Sequence, residues 1–494
     1  MTHSSSRPDD GPSAGFDPAS LSPAALIEFA GRQRWFAGRS ERIAGADFEP
    51  VEAPIGGAEL GELVVHVEGG EAQRYFLPLC PAGEGAAAYS LDAGPAGGLL
   101  ADAARDPAFC AAVVAFLVRG EGEGGALLAR RSRAAADRLA AVAAVPAADI
   151  KVLSGEQSNT SVGIGRLGIL KFYRRLRDGE QPELEVTEFL TEQTGFTGAP
   201  ALYGSLELRR ADGSHAAVAA LFERVANRGD AWAVVVDDIV AELSGGAQSA
   251  ERFDVGRTLG RRTGEMHAGL ATRTGNAAFD PEPLDAASLQ RIVDEARFEA
   301  GAALDVLARE AERSPELKGE IDRLLAARAA IDAWFAGFSA GEVGGWRTRI
   351  HGDYHLGQVL VSGEDAVILD FEGEPGRPLP ERRAKTSPLR DVAGMLRSFD
   401  YAAFAARDRL GEDGERVRDA ADIWRDRTSA EFLKAWEAAS GVPLTAESNL
   451  RLLDLFVLQK AFYELRYEAA MRPAWLSIPL RGIVSLLEKR QVVR

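Results

Sequence analysis

The segment His351-Gly352-Asp353-Tyr354-His355-Leu356-Gly357-Gln358, followed by the apolar run Ala366 to Leu369 and then Asp370-Phe371-Glu372, decides how the chain folds. Asp353 is followed five residues later by an amide side chain, Gln358, and seventeen residues later by a second carboxylate, Asp370, at the end of a buried strand. Phosphoryl transfer needs a carboxylate beside the attacking hydroxyl, to orient it and take its proton late in the step. Asp353 is placed for that role. The same chemistry needs hard oxygen ligands for Mg²⁺, which prefers carboxylates, amide oxygens, water and the substrate's own phosphates. Gln358 and Asp370 supply them. A turn or a strand end could produce either short string alone, but the combined spacing would require several independent coincidences in one segment. His351 reads as a brace for the loop, whereas His355 could face an acceptor hydroxyl or cap the following helix.

Working outward, Lys171 ends the apolar run Ile169-Leu170, and Glu185 follows fourteen residues later on a helix expected over Pro182 to Thr194. A strand lysine on the phosphates of ATP, steadied by a helix glutamate, completes the order in which a kinase presents its groups. Glu188, on the same helix, is the alternative for the glutamate. Ser154 to Thr160 lies between two strands and is expected to cover the phosphates through Ser158, Asn159 and Thr160, although it departs from G-x-G-x-x-G. Phe222 to Val225 should be the hinge, with Glu223 and Val225 meeting the adenine. The fold class that follows is α+β: a protein-kinase-like bilobal fold with a β-rich N-lobe and a helical C-lobe, using ATP and Mg²⁺.

A helix expected over Arg451 to Met471 has two faces. Leu455, Leu458, Phe462 and Leu465 form an apolar stripe; Lys460, Tyr463, Glu464, Tyr467 and Glu468 form a second that mixes rings with charges. A sugar-binding wall needs rings under the pyranose and polar tips for its hydroxyls, although a solvated face is the ordinary alternative. Arg472, Pro473 and Trp475 follow and could complete the wall. Asp391 and Arg397 are expected to brace the catalytic loop from behind.

The chain of 494 residues exceeds what one hydrophobic core supports. Residues 1–20 read as a disordered tail, 21–145 as an N-terminal cap domain, 146–226 as the small nucleotide-binding lobe, and 227–494 as the large lobe with the catalytic loop and sugar site. Within the cap, Leu63 to Val67, Gly69-Gly70 and Arg74 to Leu77 read as a hairpin, and Pro107 to Ala144 as helical. The net charge of −17 argues against nucleic-acid binding, which needs clustered Lys and Arg. No membrane span is expected, and two cysteines without CxxC spacing suit a reducing cytoplasm.

The strings Gly155 to Ser161, His351 to Gln358, Asp370 to Pro375, Arg390 to Ser398 and Lys460 to Glu464 resemble those of maltokinases. So do the opening Arg32 to Phe36 and the ending Arg472 to Leu480, which extends the resemblance over nearly the whole chain. It implies ATP-dependent phosphorylation of the anomeric hydroxyl of maltose to maltose 1-phosphate, on a route from trehalose to α-glucan (glycogen biosynthesis). It further implies a monomer with Asp353 as base, Gln358 and Asp370 on magnesium, Lys171 and Glu185 positioning ATP, and the Tyr463 and Tyr467 helix facing maltose. His355, Glu372, Lys460 and Glu464 join that substrate set. No trehalose-converting domain is fused here, so coupling is expected through diffusion or association with a trehalose-converting enzyme. A kinase of amino sugars or aminoglycosides is the alternative, left open by Glu372, Glu464 and Glu468. A nucleotide- or glucan-binding pseudokinase is the non-enzyme alternative, against which the full set Lys171, Asp353, Gln358 and Asp370 speaks.

Overall fold

The computed structural model describes residues 21–38, 41–83, 86–92, 98–120, 125–153, 158–245, 253–338, 345–411 and 414–493. The chain divides into two compact units, Met1–Gln181 with Ala201–Arg224, and Pro182–Pro200 with Val225–Arg494. The division after Arg224 falls inside the stretch read as a hinge.

The first unit carries two antiparallel sheets. Ile43–Ile55 (β1), Ala58–Val67 (β2), Gln73–Phe76 (β3), Leu79–Pro81 (β4), Ser90–Asp92 (β5) and Leu99–Asp102 (β6) form one, in the order β1-β2-β4-β6-β5 with β3 also on β2. β2 and β3 are the expected hairpin, with Leu63 opposite Tyr75 and Gly69 in the left-handed region at φ 74°. Leu127–Arg131 (β7), Ile150–Val152 (β8), Asn159–Ile164 (β9), Gly168–Tyr173 (β10), Leu202–Arg209 (β11) and His215–Glu223 (β12) form the other, in the order β7-β11-β12-β10-β9-β8.

β7 corrects the reading of Pro107 to Ala144 as helical throughout. α-Helix there is confined to Pro107–Arg119, capped by Asp106 at its start and by left-handed Gly120 at its end, and to Ala136–Ala143. Leu127–Arg131 then pairs with β11, because an open sheet edge outweighs the helical propensity of Leu, Ala and Arg. The sheet therefore takes a strand from before residue 145, where the cap was expected to end.

The two sheets share a core. Phe172 of β10 packs between Phe76 and Phe109, with ring centroids 6.3 and 6.1 Å away. Beside it Arg174, fully buried, donates to both oxygens of the equally buried Asp102 at 3.0 and 2.5 Å, and to Thr160 Oγ1 at 2.9 Å. Asp102 also accepts from the Ala104 backbone amide, so the pair is held by further hydrogen bonds, as a buried ion pair requires.

The second unit is mainly helical, with long helices over Val255–Leu270, Ala286–Glu310, Leu389–Leu410, Glu415–Ser440 and Glu447–Met471, and one hairpin, Val359–Ser362 with Asp365–Ile368. Gly256, Gly260 and Gly264 line one face of the first of these helices. A Cβ on Gly260 would stand 2.3 Å from the Phe432 carbonyl, and one on Gly264 2.8 Å from that of Trp436. This glycine ridge lets the helix Glu415–Ser440 approach backbone to backbone. Two shorter helices, Lys318–Ala326 and Arg328–Ala336, follow one another, and the helix expected over Pro182 to Thr194 is α-helical only to Glu188 before a π turn.

Replacing Asp102 by Ala strands the Arg174 guanidinium in the core and is expected to cost about 3–5 kcal/mol. Hydrogen exchange of β6 and β10 amides, with urea unfolding, checks it; an unchanged midpoint would contradict the buried pair.

Candidate active site

The loop carrying Asp353 is fixed by a carboxylate from another helix. Asp391, wholly buried near the start of Leu389–Leu410, accepts from the His351 amide at 2.8 Å (Oδ2) and the Gly352 amide at 2.9 Å (Oδ1). Its Oδ2 also lies 3.0 Å from His267 Nε2. Trp436 Nε1 is 2.9 Å from His267 Nδ1 and can only donate, so Nδ1 accepts and the ring proton sits on Nε2, pointing at Asp391. Burial pushes the Asp391 carboxyl up, but the His267 hydrogen bond, the two histidines and the Gly352 amide outweigh it and leave it below the ordinary value. Asp391 is thus the brace expected from the sequence.

Two local requirements complete the loop. Gly352 sits at φ 86°, where an L side chain is strained, and a Cβ there would meet Gly373 Cα at 3.2 Å. Gly394, one turn beyond Asp391, lets its helix pass so close that a Cβ would meet the Tyr354 carbonyl at 2.6 Å. Tyr354 turns inward, its hydroxyl 2.8 Å from Thr263 Oγ1.

His351 Nε2 donates to the Leu369 carbonyl at 2.8 Å and so ties the loop to the residue before Asp370. Asp370 has φ 63°, a left-handed conformation that a non-glycine residue holds at a cost of about 1–3 kcal/mol. Gln358 Nε2 donates to its Oδ2 at 3.0 Å. Carboxylate oxygens of Glu183, Asp370 and Glu372 lie within 4.8 Å of one another. Hard oxygens gathered around a carboxylate in an unusual backbone conformation form a donor set that suits Mg²⁺.

Asp353 stands where two recesses of the second unit meet. The first, of about 480 Å³, is lined by Glu299, Glu374, Arg377, Arg390, Lys460 and Tyr463 among others. The second, of about 460 Å³, has His355, Tyr401, Lys460, Tyr463, Tyr467 and Trp475 on its walls, with Glu464, Glu468, Arg472 and Trp232. Both include Asp353, Tyr354, Gly394, Lys460 and Tyr463. The helix Glu447–Met471 presents Leu455, Leu458, Phe462 and Leu465 to the core and Lys460, Tyr463, Glu464 and Tyr467 to the recess. His355 takes the capping role. Its Nδ1 accepts from the Gly357 amide at 3.1 Å, capping the turn, and it lines the second recess; burial lowers its pKa, which favours the neutral ring.

Every glutamate lining these recesses holds a guanidinium. Glu464 accepts from Arg397 at 2.8 Å, Glu468 from Arg472 at 2.6 Å, Glu299 from Arg466 at 2.6 Å and Glu374 from Arg377 at 2.9 Å. Glu295 and Glu381 face the same Arg377. Arg397, expected to brace the loop, instead braces the wall through Glu464 and Asp400.

Other expected site residues fall differently. β9 alternates its faces, so the Thr160 side chain shares Phe172's side and its hydroxyl oxygen accepts from Arg174 Nε, while Asn159 and Ser161 share the side of Lys171. Glu185 accepts from Arg349 at 2.9 Å and from Arg383 at 3.0 and 2.9 Å, contacts within the second unit that the sequence did not suggest. Glu372 lines neither recess and sits with Asp370. Ser158 is exposed, Glu223 Oε1 holds Arg138 at 2.8 Å, and the Val225 carbonyl accepts from Asn227. Ser154 to Gln157 lie outside the described residues.

The phosphotransferase enzyme family matches residues 149–424. A glucosamine kinase of Mycolicibacterium smegmatis is 26% identical over 335 residues, covering 68% of this chain and 78% of that protein. One of Streptacidiphilus jiangxiensis is 26% identical over 343 residues, covering 68% and 73%. A solved glucosamine kinase in complex with glucosamine, ADP and inorganic phosphate is 21% identical with a TM-score of 0.68, covering 95% of this chain and 98% of that one. That likeness shows the fold: a curled β-rich N-lobe and a helical C-terminal region, preceded by a further N-terminal region. No helix among the described residues is long and apolar enough to cross a membrane.

Asp391→Asn puts an amide donor against two backbone donors and is expected to cost about 3–5 kcal/mol at neutral pH. Because the folded pKa is depressed, this stability is fully present above the ordinary value of 3.8 and is lost as the pH falls through the folded value. Urea unfolding of wild type and variant should therefore converge below pH 3.8; a pH-independent difference would contradict the ionised anchor.

Proposed function

The chain belongs to the phosphotransferase enzyme family, and from that premise we propose that it moves the γ-phosphoryl group of ATP onto a hydroxyl of a neutral sugar. The observation that carries the reading is Asp353 at the junction of two recesses walled by tyrosine and tryptophan rings, on a loop locked by Asp391. A bond forms from the acceptor oxygen to phosphorus as the bond to the ADP oxygen breaks. The acceptor proton passes to Asp353 and then to solvent.

Lys171, with Ser158, Asn159 and Ser161, is assigned to the phosphates of ATP, and the backbone at Glu223 and Val225 to the adenine. Asp370 and Gln358, with Glu183 and Glu372, would hold magnesium, which when bound neutralises charge on the phosphates. Tyr463, Tyr467 and Trp475 offer ring faces to sugar, and His355, a neutral ring, offers a polar edge.

The finer reading is that the acceptor is maltose, phosphorylated at its anomeric hydroxyl to maltose 1-phosphate for α-glucan synthesis. Three things support it: the resemblance along the catalytic and wall segments, a ring-lined recess of about 460 Å³, and glutamates already held by arginines, which leaves a poor site for an ammonium. Glucosamine as acceptor is the second reading, favoured by the names of the two curated relatives.

With ATP and Mg²⁺ the purified protein is expected to phosphorylate maltose in preference to glucose and glucosamine. Product NMR should place the phosphate on the anomeric oxygen. Asp353→Asn should lower turnover by about 10²–10⁴-fold while sparing ATP affinity. Phosphate on another oxygen, or preference for glucosamine, would reject maltose in favour of the second reading.

A further inference from the structure

We propose that Lys460 is a charge filter for the acceptor: its ammonium selects sugars with a neutral group beside the reacting hydroxyl and repels their amino counterparts. The inference rests on the reading of this site as a sugar kinase, and adds the residue that decides between two acceptor classes.

Lys460 lies on the helix Glu447–Met471 and lines both recesses. Its Nζ is 4.0 Å from Asp353 Oδ1, at the outer limit of an ion pair, and 5.2 Å from the centre of the Tyr463 ring. Two arginines on the same walls are drawn tightly to carboxylates, Arg472 to Glu468 at 2.6 Å and Arg377 to Glu374 at 2.9 Å, and Arg390 lies 3.6 Å from Glu374. Those charges are spent locally. Lys460 instead places its positive charge where an acceptor hydroxyl must come to meet Asp353.

Such a hydroxyl brings its neighbouring ring substituent within a few ångströms of Nζ. A neighbouring hydroxyl can accept a hydrogen bond from the ammonium. A neighbouring ammonium cannot, and the two like charges repel in a partly enclosed space where Coulomb interactions exceed those in water. The carboxylates that would otherwise welcome an amino group, Glu464 and Glu468, are occupied by Arg397 and Arg472. Discrimination therefore comes from a built-in repulsion in addition to the fit of the favoured sugar. The Tyr463 face keeps the charge in place by a cation–π contact.

The test compares kcat/KM for two matched pairs, glucose with glucosamine and maltose with its 2-amino-2-deoxy analogue, in wild type, Lys460→Met and Lys460→Arg. The expected result is a preference of about ten-fold or more for the neutral member in wild type, from the like-charge repulsion. That preference should be kept in Lys460→Arg and largely lost in Lys460→Met. A structural role alone would lower both members of a pair equally and leave their ratio fixed. An unchanged ratio in Lys460→Met, or a wild-type preference for the amino member, overturns the filter while leaving the sugar-kinase reading intact. Failure of the wild type to phosphorylate any of the four sugars overturns that reading, and the filter with it.

Discussion

The second unit is organised around one buried carboxylate. Asp391 holds two consecutive backbone amides of the loop that carries Asp353, and is itself held by a histidine whose tautomer is dictated by Trp436. Trp436 and His267 meet because Gly256, Gly260 and Gly264 allow their two helices to touch backbone to backbone. The chain of cause therefore runs from three glycines to an indole, an imidazole, a carboxylate and finally a loop. Burying an ion is costly unless it is hydrogen-bonded, and here three donors meet the carboxylate. The loop's conformation is over-determined, as a preorganised site demands.

Much of this was legible in the sequence where spacing along one segment carries the chemistry. Asp353, Gln358 and Asp370 fall within eighteen residues, and the intervening hairpin brings Gln358 and Asp370 into contact. The helix at Lys460 was legible because its two stripes repeat at helical period. Residues contributed singly from distant elements were not. Trp232, Tyr401 and Glu183 have no periodic signature, and the His267–Trp436 contact spans 169 residues. The direction of the Thr160 side chain was not legible, because a strand's faces are set by register with its neighbours, which a loop motif does not show. β7 was misjudged because pairing with a distant strand overrode local helical preference.

The electrostatics of the recesses narrow their chemistry. The walls look acidic in sequence, with Glu295, Glu299, Glu374, Glu381, Glu464 and Glu468 all present. In the fold each faces a guanidinium, with Glu295, Glu374 and Glu381 sharing Arg377, so much of that charge is paired locally and aromatic rings stand beside it. Counting carboxylates in the sequence would suggest a cationic ligand; pairing them in space suggests a neutral, hydroxylated one. Arg397 and Arg472 hold two of these carboxylates, and Arg472 also lies over the Trp475 ring with 4.7 Å to its centroid.

The most direct test is a crystal structure of the protein with maltose bound. The account places the anomeric hydroxyl within hydrogen-bond reach of Asp353, with a pyranose ring against Tyr463 or Tyr467. Density for the sugar elsewhere, with Asp353 left without a hydroxyl partner, would contradict it.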